Sequence, residues 1–313
     1  MRHKTSCGQT MPNLRVKVGK LELQNPVMPA AGTFGYGEEY ASLIDLNRLG
    51  AIVTKGISLA PQEGNPPLRI WETPAGMLNS IGLHNVGIEA FAQQKMPFLR
   101  HFKVPVIVNF FGYTVEEYSD AARQLSALEG IAALEANLSC PNIKAGGIHF
   151  GCTASSVAEI TKKLVKSANL TIIIKLSSQV SNIKEIALAA EGEGAEAITL
   201  INSVPAMAID LDCQKPVLGG VTGGLSGPAI KPIALKAVWD AASVVRIPVI
   251  GVGGIMDYRD ALEFLMAGAT AVQVGTANFI NPVTMLEIIE GIGAFLTERG
   301  HKNIREIIGS AKL

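Results

Sequence analysis

Ile131-Ala132-Ala133-Leu134 runs into Asn137-Leu138-Ser139-Cys140-Pro141-Asn142, and Ile143-Lys144-Ala145-Gly146-Gly147 follows. The apolar run reads as the body of a buried strand, 132–137, whose end turns polar: an amide, a hydroxyl, a thiol and a second amide. Pro141 cannot donate a ladder hydrogen bond and disfavours helix at Cys140, so the strand must stop there. Gly146-Gly147 predicts a mobile segment just past the thiol. A thiol at the C-terminal end of a strand stands where α/β proteins place chemistry. A buried packing cysteine is the alternative reading of this stretch alone.

Outward from it, the same unit repeats. Short aliphatic strands are expected at 27–30, 51–54, 105–110, 132–137, 172–176, 197–201, 248–252 and 271–274, each followed by a helical pattern. After the third, Thr114 should cap a helix, Glu117 should complete a capping box, and Val115, Tyr118, Ala122 and Leu125 mark one face before Gly130 ends it. A second such helix is expected from Asp257 to Gly268. Strands alternating with helices of this length predict parallel βαβ units. Eight of them fit one closed (β/α)8 TIM barrel; an open doubly wound sheet is the alternative. Before the repeat, Val16, Val18, Leu21 and Leu23 alternate around Gly19-Lys20, which predicts an N-terminal β-hairpin that plugs the barrel bottom. Residues 1–10 are polar and aperiodic and read as a disordered extension, leaving 11–313 as the domain.

The strand ends carry the functional signal. They bring Ala31, Lys55-Gly56, Asn109, Asn137 with Cys140, Lys175 with Ser177, Asn202-Ser203, Gly253-Gly254 and Gly275-Thr276. A barrel gathers all of these on one face. A lysine within Thr171-Ile172-Ile173-Ile174-Lys175-Leu176 is costly unless it has a partner, so two lysines among three amides and a thiol predict a binding site. The glycines ending strands seven and eight, with a helix N-terminus, predict a phosphate cradle. Gly251-Val252-Gly253 does not complete a dinucleotide fingerprint, because Met256 holds the last place. A mononucleotide-sized ligand such as FMN or a sugar phosphate is therefore favoured. Two long connections, 57–84 and 203–227, should form a lid and specificity wall over the C-terminal face.

Composition narrows the partners. The 313 residues carry 27 basic and 27 acidic side chains, so there is no electrostatic case for nucleic acid. No run of eighteen apolar residues predicts a membrane span, and the N-terminus has no signal-peptide core. The cysteines at 7, 140, 152 and 213 lack metal or iron–sulfur spacing and fit a reduced, cytoplasmic protein. No metal site is expected.

Taken together, Thr54-Lys55-Gly56, Asn79-Ser80-Ile81-Gly82-Leu83, Asn137-Leu138-Ser139-Cys140-Pro141-Asn142, Thr222-Gly223-Gly224-Leu225-Ser226-Gly227-Pro228, Gly253-Gly254 and Gly275-Thr276 resemble the dihydroorotate dehydrogenase family, and within it the soluble class 1B catalytic subunits. The resemblance implies an FMN-containing barrel, one FMN per chain, that oxidises dihydroorotate to orotate in pyrimidine (UMP) biosynthesis. It implies Cys140 as general base and Lys175 as the cation facing the flavin. Ala31, Gly56, Asn109, Asn137, Ile201 and Gly227 are implied as further FMN contacts, and Gly253, Gly254, Gly275 and Thr276 as the phosphate cradle. Lys55 is similar to a lysine that touches flavin and substrate. Asn79, Ser80, Ile81, Gly82, Leu83, Asn137, Asn202 and Ser203 are implied as the orotate pocket. Asparagine suits that role, since its amide both donates and accepts. Ala31 stands where the family often has Ser, and Ser203 where Thr is common.

Class 1B further implies a homodimer of this chain within a heterotetramer, whose partner subunit carries FAD and a [2Fe-2S] cluster and passes electrons to NAD+. The alternatives are a fumarate-using class 1A protein, and a flavin barrel like that of dihydropyrimidine dehydrogenase. An IMP dehydrogenase-like barrel with a covalent cysteine would place that cysteine after a later strand. A non-catalytic phosphate-binding barrel leaves Cys140 and both lysines unexplained.

Overall fold

The computed structural model describes residues 11–138, 151, 153–177 and 179–311. The extension 1–10 with Cys7, the Pro141 stop, Gly146-Gly147, Cys140 and Cys152 lie outside the described residues. The hairpin forms as expected: β1 (Val16–Val18) pairs antiparallel with β2 (Leu21–Leu23), with Gly19 at φ +57° in the turn. Its four apolar side chains are buried. A Cβ on Gly19 would stand 2.7 Å from Thr171 Cγ2, so the turn presses directly on the barrel. Lys20 N–H donates to Thr171 Oγ1 at 3.1 Å, and its ammonium pairs with Glu196 at 3.0 Å. Thr171 and Glu196 stand at the starts of barrel strands, so the hairpin closes the N-terminal end.

The barrel strands are β3 (Val27–Pro29), β4 (Ile52–Val53), β7 (Val106–Phe110), β8 (Ala133–Asn137), β9 (Thr171–Leu176), β10 (Ala197–Leu200), β15 (Val249–Val252) and β16 (Ala271–Val274). They pair in the order β3-β16-β15-β10-β9-β8-β7-β4, every neighbour parallel. Nearly every residue in them is buried, because helices cover the outer face and side chains fill the inside. The ring meets itself between β3 and β4 without a ladder. There Gly50 N–H donates to Val27 O at 2.8 Å. A Cβ on Gly50 would run into the carbonyl oxygens of Asn25 and Val27, so only glycine lets this seam approach.

Helical segments follow: α1 (87–99), α2 (Val115–Ser126), α3 (Ala154–Ser167), α4 (Ile183–Gly192), α5 (Lys231–Ala242), α6 (Tyr258–Ala267), α7 (Ala277–Ile280) and α8 (Thr284–Glu298). The first repeat departs from expectation: only a 3-10 turn, Leu46–Arg48, stands between β3 and β4. In its place Phe34 and Tyr40 stack at 4.2 Å and bury that side. Thr114 caps α2 by accepting Glu117 N–H at 3.1 Å. The Glu117 carboxylate reaches one residue further back than a capping box would, to Tyr113 N–H at 2.6 Å. Helix α2 also stops at Ser126, and Gly130, at φ +92°, serves the turn into β8. Asp257 caps α6 and Gly268 closes it at φ +115°, as the sequence predicts.

The two long connections are not loops. They fold into a four-stranded antiparallel sheet, in the order β11 (Val204–Ala206), β14 (Gly223–Ser226), β6 (Gly76–Asn79) and β5 (Ile70–Thr73). A small ladder of β12 (Ile209–Asp210) and β13 (Lys215–Pro216) extends beyond it. Glycine is required inside this sheet: a Cβ on Gly76 would strike Ser226 O, and one on Gly223 would strike Asn79 O. No described helix is long and apolar enough to cross a membrane.

Candidate active site

Between the strand ends and the upper sheet lies a cavity of about 480 Å³. Every site residue named from the sequence lines it, except Cys140, which lies outside the described residues. Asn137, the last residue of β8, stands at its edge and holds that strand end by accepting Tyr118 OH on its carbonyl at 2.7 Å.

The floor is set by β7, β8 and β9. Lys175 projects from β9 and is only 5% exposed. Its ammonium stands 3.9 Å from Glu135 of β8, beyond hydrogen-bond reach, and makes no hydrogen bond within the described residues. A buried ammonium with unused donors calls for an electron-rich ligand in the cavity. Beside it, Asn109 of β7 donates to Glu135 at 2.8 Å. That commits its Nδ2 and leaves Oδ1 toward Gly56, where a Cβ would come within 2.9 Å of it.

One end of the floor is a cradle of backbone. Gly253 and Gly254 lie at φ +131° and +74°, and Gly227 at +92°, conformations that favour glycine. A Cβ on Gly254 would stand 2.7 Å from Lys231 N. The N–H groups of Gly254, Gly275 and Thr276 find no protein acceptor among the described residues. Three free donors lining one cavity fit a phosphate. The helix that contributes is α7, whose N-cap is Thr276, rather than α6. The N–H groups of Arg259 and Asp260 at the start of α6 already donate to Asp257, and Met256 N–H to Asp260 at 2.8 Å. The cradle therefore joins loop amides to the N-terminal end of α7. With a buried cation at one end and free amides at the other, this floor fits FMN.

The opposite wall comes from the upper sheet and from Lys55 after β4. Burial lowers the Lys55 ammonium below its ordinary 10.5; Glu39 opposes that shift and Arg69 adds to it. Asn79 Nδ2 donates to Gly224 O at 3.2 Å. The Ser80 hydroxyl donates to Thr222 O at 2.9 Å and accepts from Asn65, so it binds the wall together. Asn202 Oδ1 accepts Ser203 N–H at 2.8 Å. Gly82 and Leu83 both take positive φ, +72° and +60°, and the leucine is strained there. Thr276 ties wall to floor by donating to Ser226 Oγ at 2.8 Å.

Sequence reasoning missed the layer beneath the floor: Glu135, Thr199 of β10 and Gln273 of β16, all fully buried. It also missed Asn65 and Ser226. The signal for Glu135 was present, since a carboxylate inside an aliphatic strand demands partners as Lys175 does.

The family model for dihydroorotate dehydrogenase matches residues 13–296. Among curated relatives, a protein of Trichlorobacter lovleyi named "Dihydroorotate dehydrogenase B (NAD(+)), catalytic subunit" is 56% identical, covering 96% of this chain and 98% of its own. Proteins of the same name from Thermodesulfovibrio yellowstonii and Geobacter metallireducens are 54% and 51% identical, each over 96% of this chain and 100% and 99% of their own. A match over nearly the whole chain, joined to a barrel whose strand ends gather these residues around one cavity, means that the chain belongs to the dihydroorotate dehydrogenase family.

Proposed function

We propose that this chain oxidises dihydroorotate to orotate in pyrimidine (UMP) biosynthesis, and that its electrons reach NAD+ through a partner subunit. The observation that carries the reading is the buried Lys175 ammonium, which makes no hydrogen bond among the described residues, opposite a glycine cradle whose amides find no acceptor among them. FMN, when bound, supplies the hydride acceptor. The chain's own residues do the rest. Cys140 takes the proton from C5 of dihydroorotate as hydride leaves C6; a free thiol, with pKa about 8.5, is within reach of such a role. Lys175 holds positive charge where electron density gathers on reduction. Lys55 pairs with the substrate carboxylate. The amides of Asn79, Asn137 and Asn202 match the alternating N–H and C=O groups of the ring. The relatives' name includes NAD(+) and "catalytic subunit", and this chain has no dinucleotide fingerprint of its own. Both favour an electron-transfer partner, to which the resemblance to class 1B assigns FAD and a [2Fe-2S] cluster.

The test is direct. Denatured holoprotein should release FMN, identified by mass, at one per chain. The isolated chain should reduce artificial acceptors with dihydroorotate, yet reduce NAD+ poorly. Release of FAD, or of no flavin, would reject the reading. Rapid reduction of fumarate would move the chain to the fumarate-using class.

A further inference from the structure

The Glu135 carboxylate is completely buried inside the barrel. Asn109 Nδ2 donates to its Oε1 at 2.8 Å; Thr199 Oγ1 and Gln273 Nε2 donate to its Oε2 at 2.8 and 2.7 Å. Those donors come from three different strands. The fourth neighbour is the Lys175 ammonium at 3.9 Å. Both carboxylate oxygens thus accept hydrogen bonds, one on Oε1 and two on Oε2, and the ammonium stands nearest Oε1. Gln273 underlines the point: its amide turns Nε2 to Glu135 and leaves its own Oε1 buried without a partner among the described residues.

Two opposite charges in a desolvated interior would ordinarily close into a tight, hydrogen-bonded pair. Here they do not. Three neutral donors hold the carboxylate in place, so it compensates the charge of Lys175 without capturing its N–H groups. Those remain available to the cavity. The same carboxylate fixes the orientation of the Asn109 amide, which turns its acceptor oxygen toward Gly56.

We propose that Glu135 is a positioning residue that sets the redox poise of the bound flavin, by giving Lys175 a counter-charge held at a fixed distance. The proposal rests on the reading that FMN occupies the cavity. Its sign is opposite to that of Lys175. An anion beneath the flavin opposes the gain of electrons, so its neutral isostere should make reduction easier. Glu135→Gln can keep the network, because Gln273 has a spare acceptor to turn toward the new amide. Thr199→Val does the reverse. It removes one of the two hydrogen bonds on Oε2, leaving Gln273 alone there, so the carboxylate is held less firmly and can close on Lys175, which screens the cation from the cavity.

The experiment is a dye-equilibrated redox titration of the holoproteins. Glu135→Gln should favour binding of reduced over oxidised FMN by about tenfold, an upward shift of about 30 mV for a two-electron couple. Thr199→Val should shift the potential downward, and should decide the matter alone if the glutamine variant does not fold. In Glu135→Gln/Lys175→Met the two effects should fail to add, as for groups in contact. Potentials in both single variants that match wild type, or a fall in Glu135→Gln, would overturn the role. Wild-type protein free of flavin would instead reject the proposed function beneath it.

Discussion

The cavity floor stands on parallel strands buried along almost their whole length; all six residues of β9 are buried. The wall above it is an antiparallel sheet in which all four residues of β14 keep partial exposure. The floor positions its polar groups by enclosure, with charges and amides locked to one another inside the barrel. The wall positions its groups through backbone pairing and close glycine contacts, on strands that stay partly exposed. A cofactor held for many turnovers suits the first construction. A substrate that must enter and leave each cycle suits the second. On this division, floor variants should disturb flavin binding or potential, and wall variants should disturb substrate affinity with flavin retained.

The largest effect should respect neither half. Cys140→Ser should keep FMN and bind orotate, yet anaerobic stopped-flow bleaching by dihydroorotate should slow by roughly 10²–10⁴, the usual value of a placed base. Partial recovery at high pH would support the base role, and a rate near wild type at pH 7 would remove it. Next comes the floor. Lys175→Ala leaves Glu135 as a buried charge without its cation, a loss of about 3–5 kcal/mol when such a pair is broken. The variant should melt earlier, and either lose FMN or hold it at a lower potential. A stable holoprotein of unchanged potential would break the comparison on the floor side.

The wall is tested at Gly224, where a Cβ would collide with the Ser203 side chain. Overpacking costs about 1–3 kcal/mol, so Gly224→Ala should raise KM for dihydroorotate about tenfold while FMN stays bound. Loss of FMN there would show that the wall also carries the cofactor. The smallest effect concerns Lys55. Its ammonium is held below the ordinary 10.5 by burial, and an anionic ligand prefers it charged. Orotate affinity should therefore weaken as pH rises through a value below 10.5. Lys55→Gln should bind orotate weakly and lack that alkaline limb, as read by flavin difference spectra.

The same two regions divide what the sequence reveals from what it hides. The barrel strands announce themselves because a parallel sheet covered on both faces must be continuously aliphatic. Lys175 could be singled out for the same reason, as a charge in such a run. Glu135 obeys that rule equally well. It passes unnoticed because its neighbours, Ala133 and Ala136, make the strand look small rather than strongly apolar. The upper sheet is nearly invisible in sequence. Gly223-Gly224-Leu225-Ser226 and Gly76-Met77-Leu78-Asn79 have the composition of turns, and their pairing is fixed by contacts more than a hundred residues apart. The repeat predicts a first helix that does not form, since only Leu46–Arg48 turns there.

The seam at Gly50 has a consequence for how the molecule breathes. In the order of the ring, β9 and β10 stand midway between the two strands that fail to pair. Lys175 and Thr199 are therefore as far from the opening as a closed ring permits. Amide hydrogens beside Gly50 should exchange with deuterated solvent through small local openings, while those flanking the Glu135 layer should exchange only through global unfolding. The barrel can loosen like a cuff at its one unlaced edge while the charge opposite stays still.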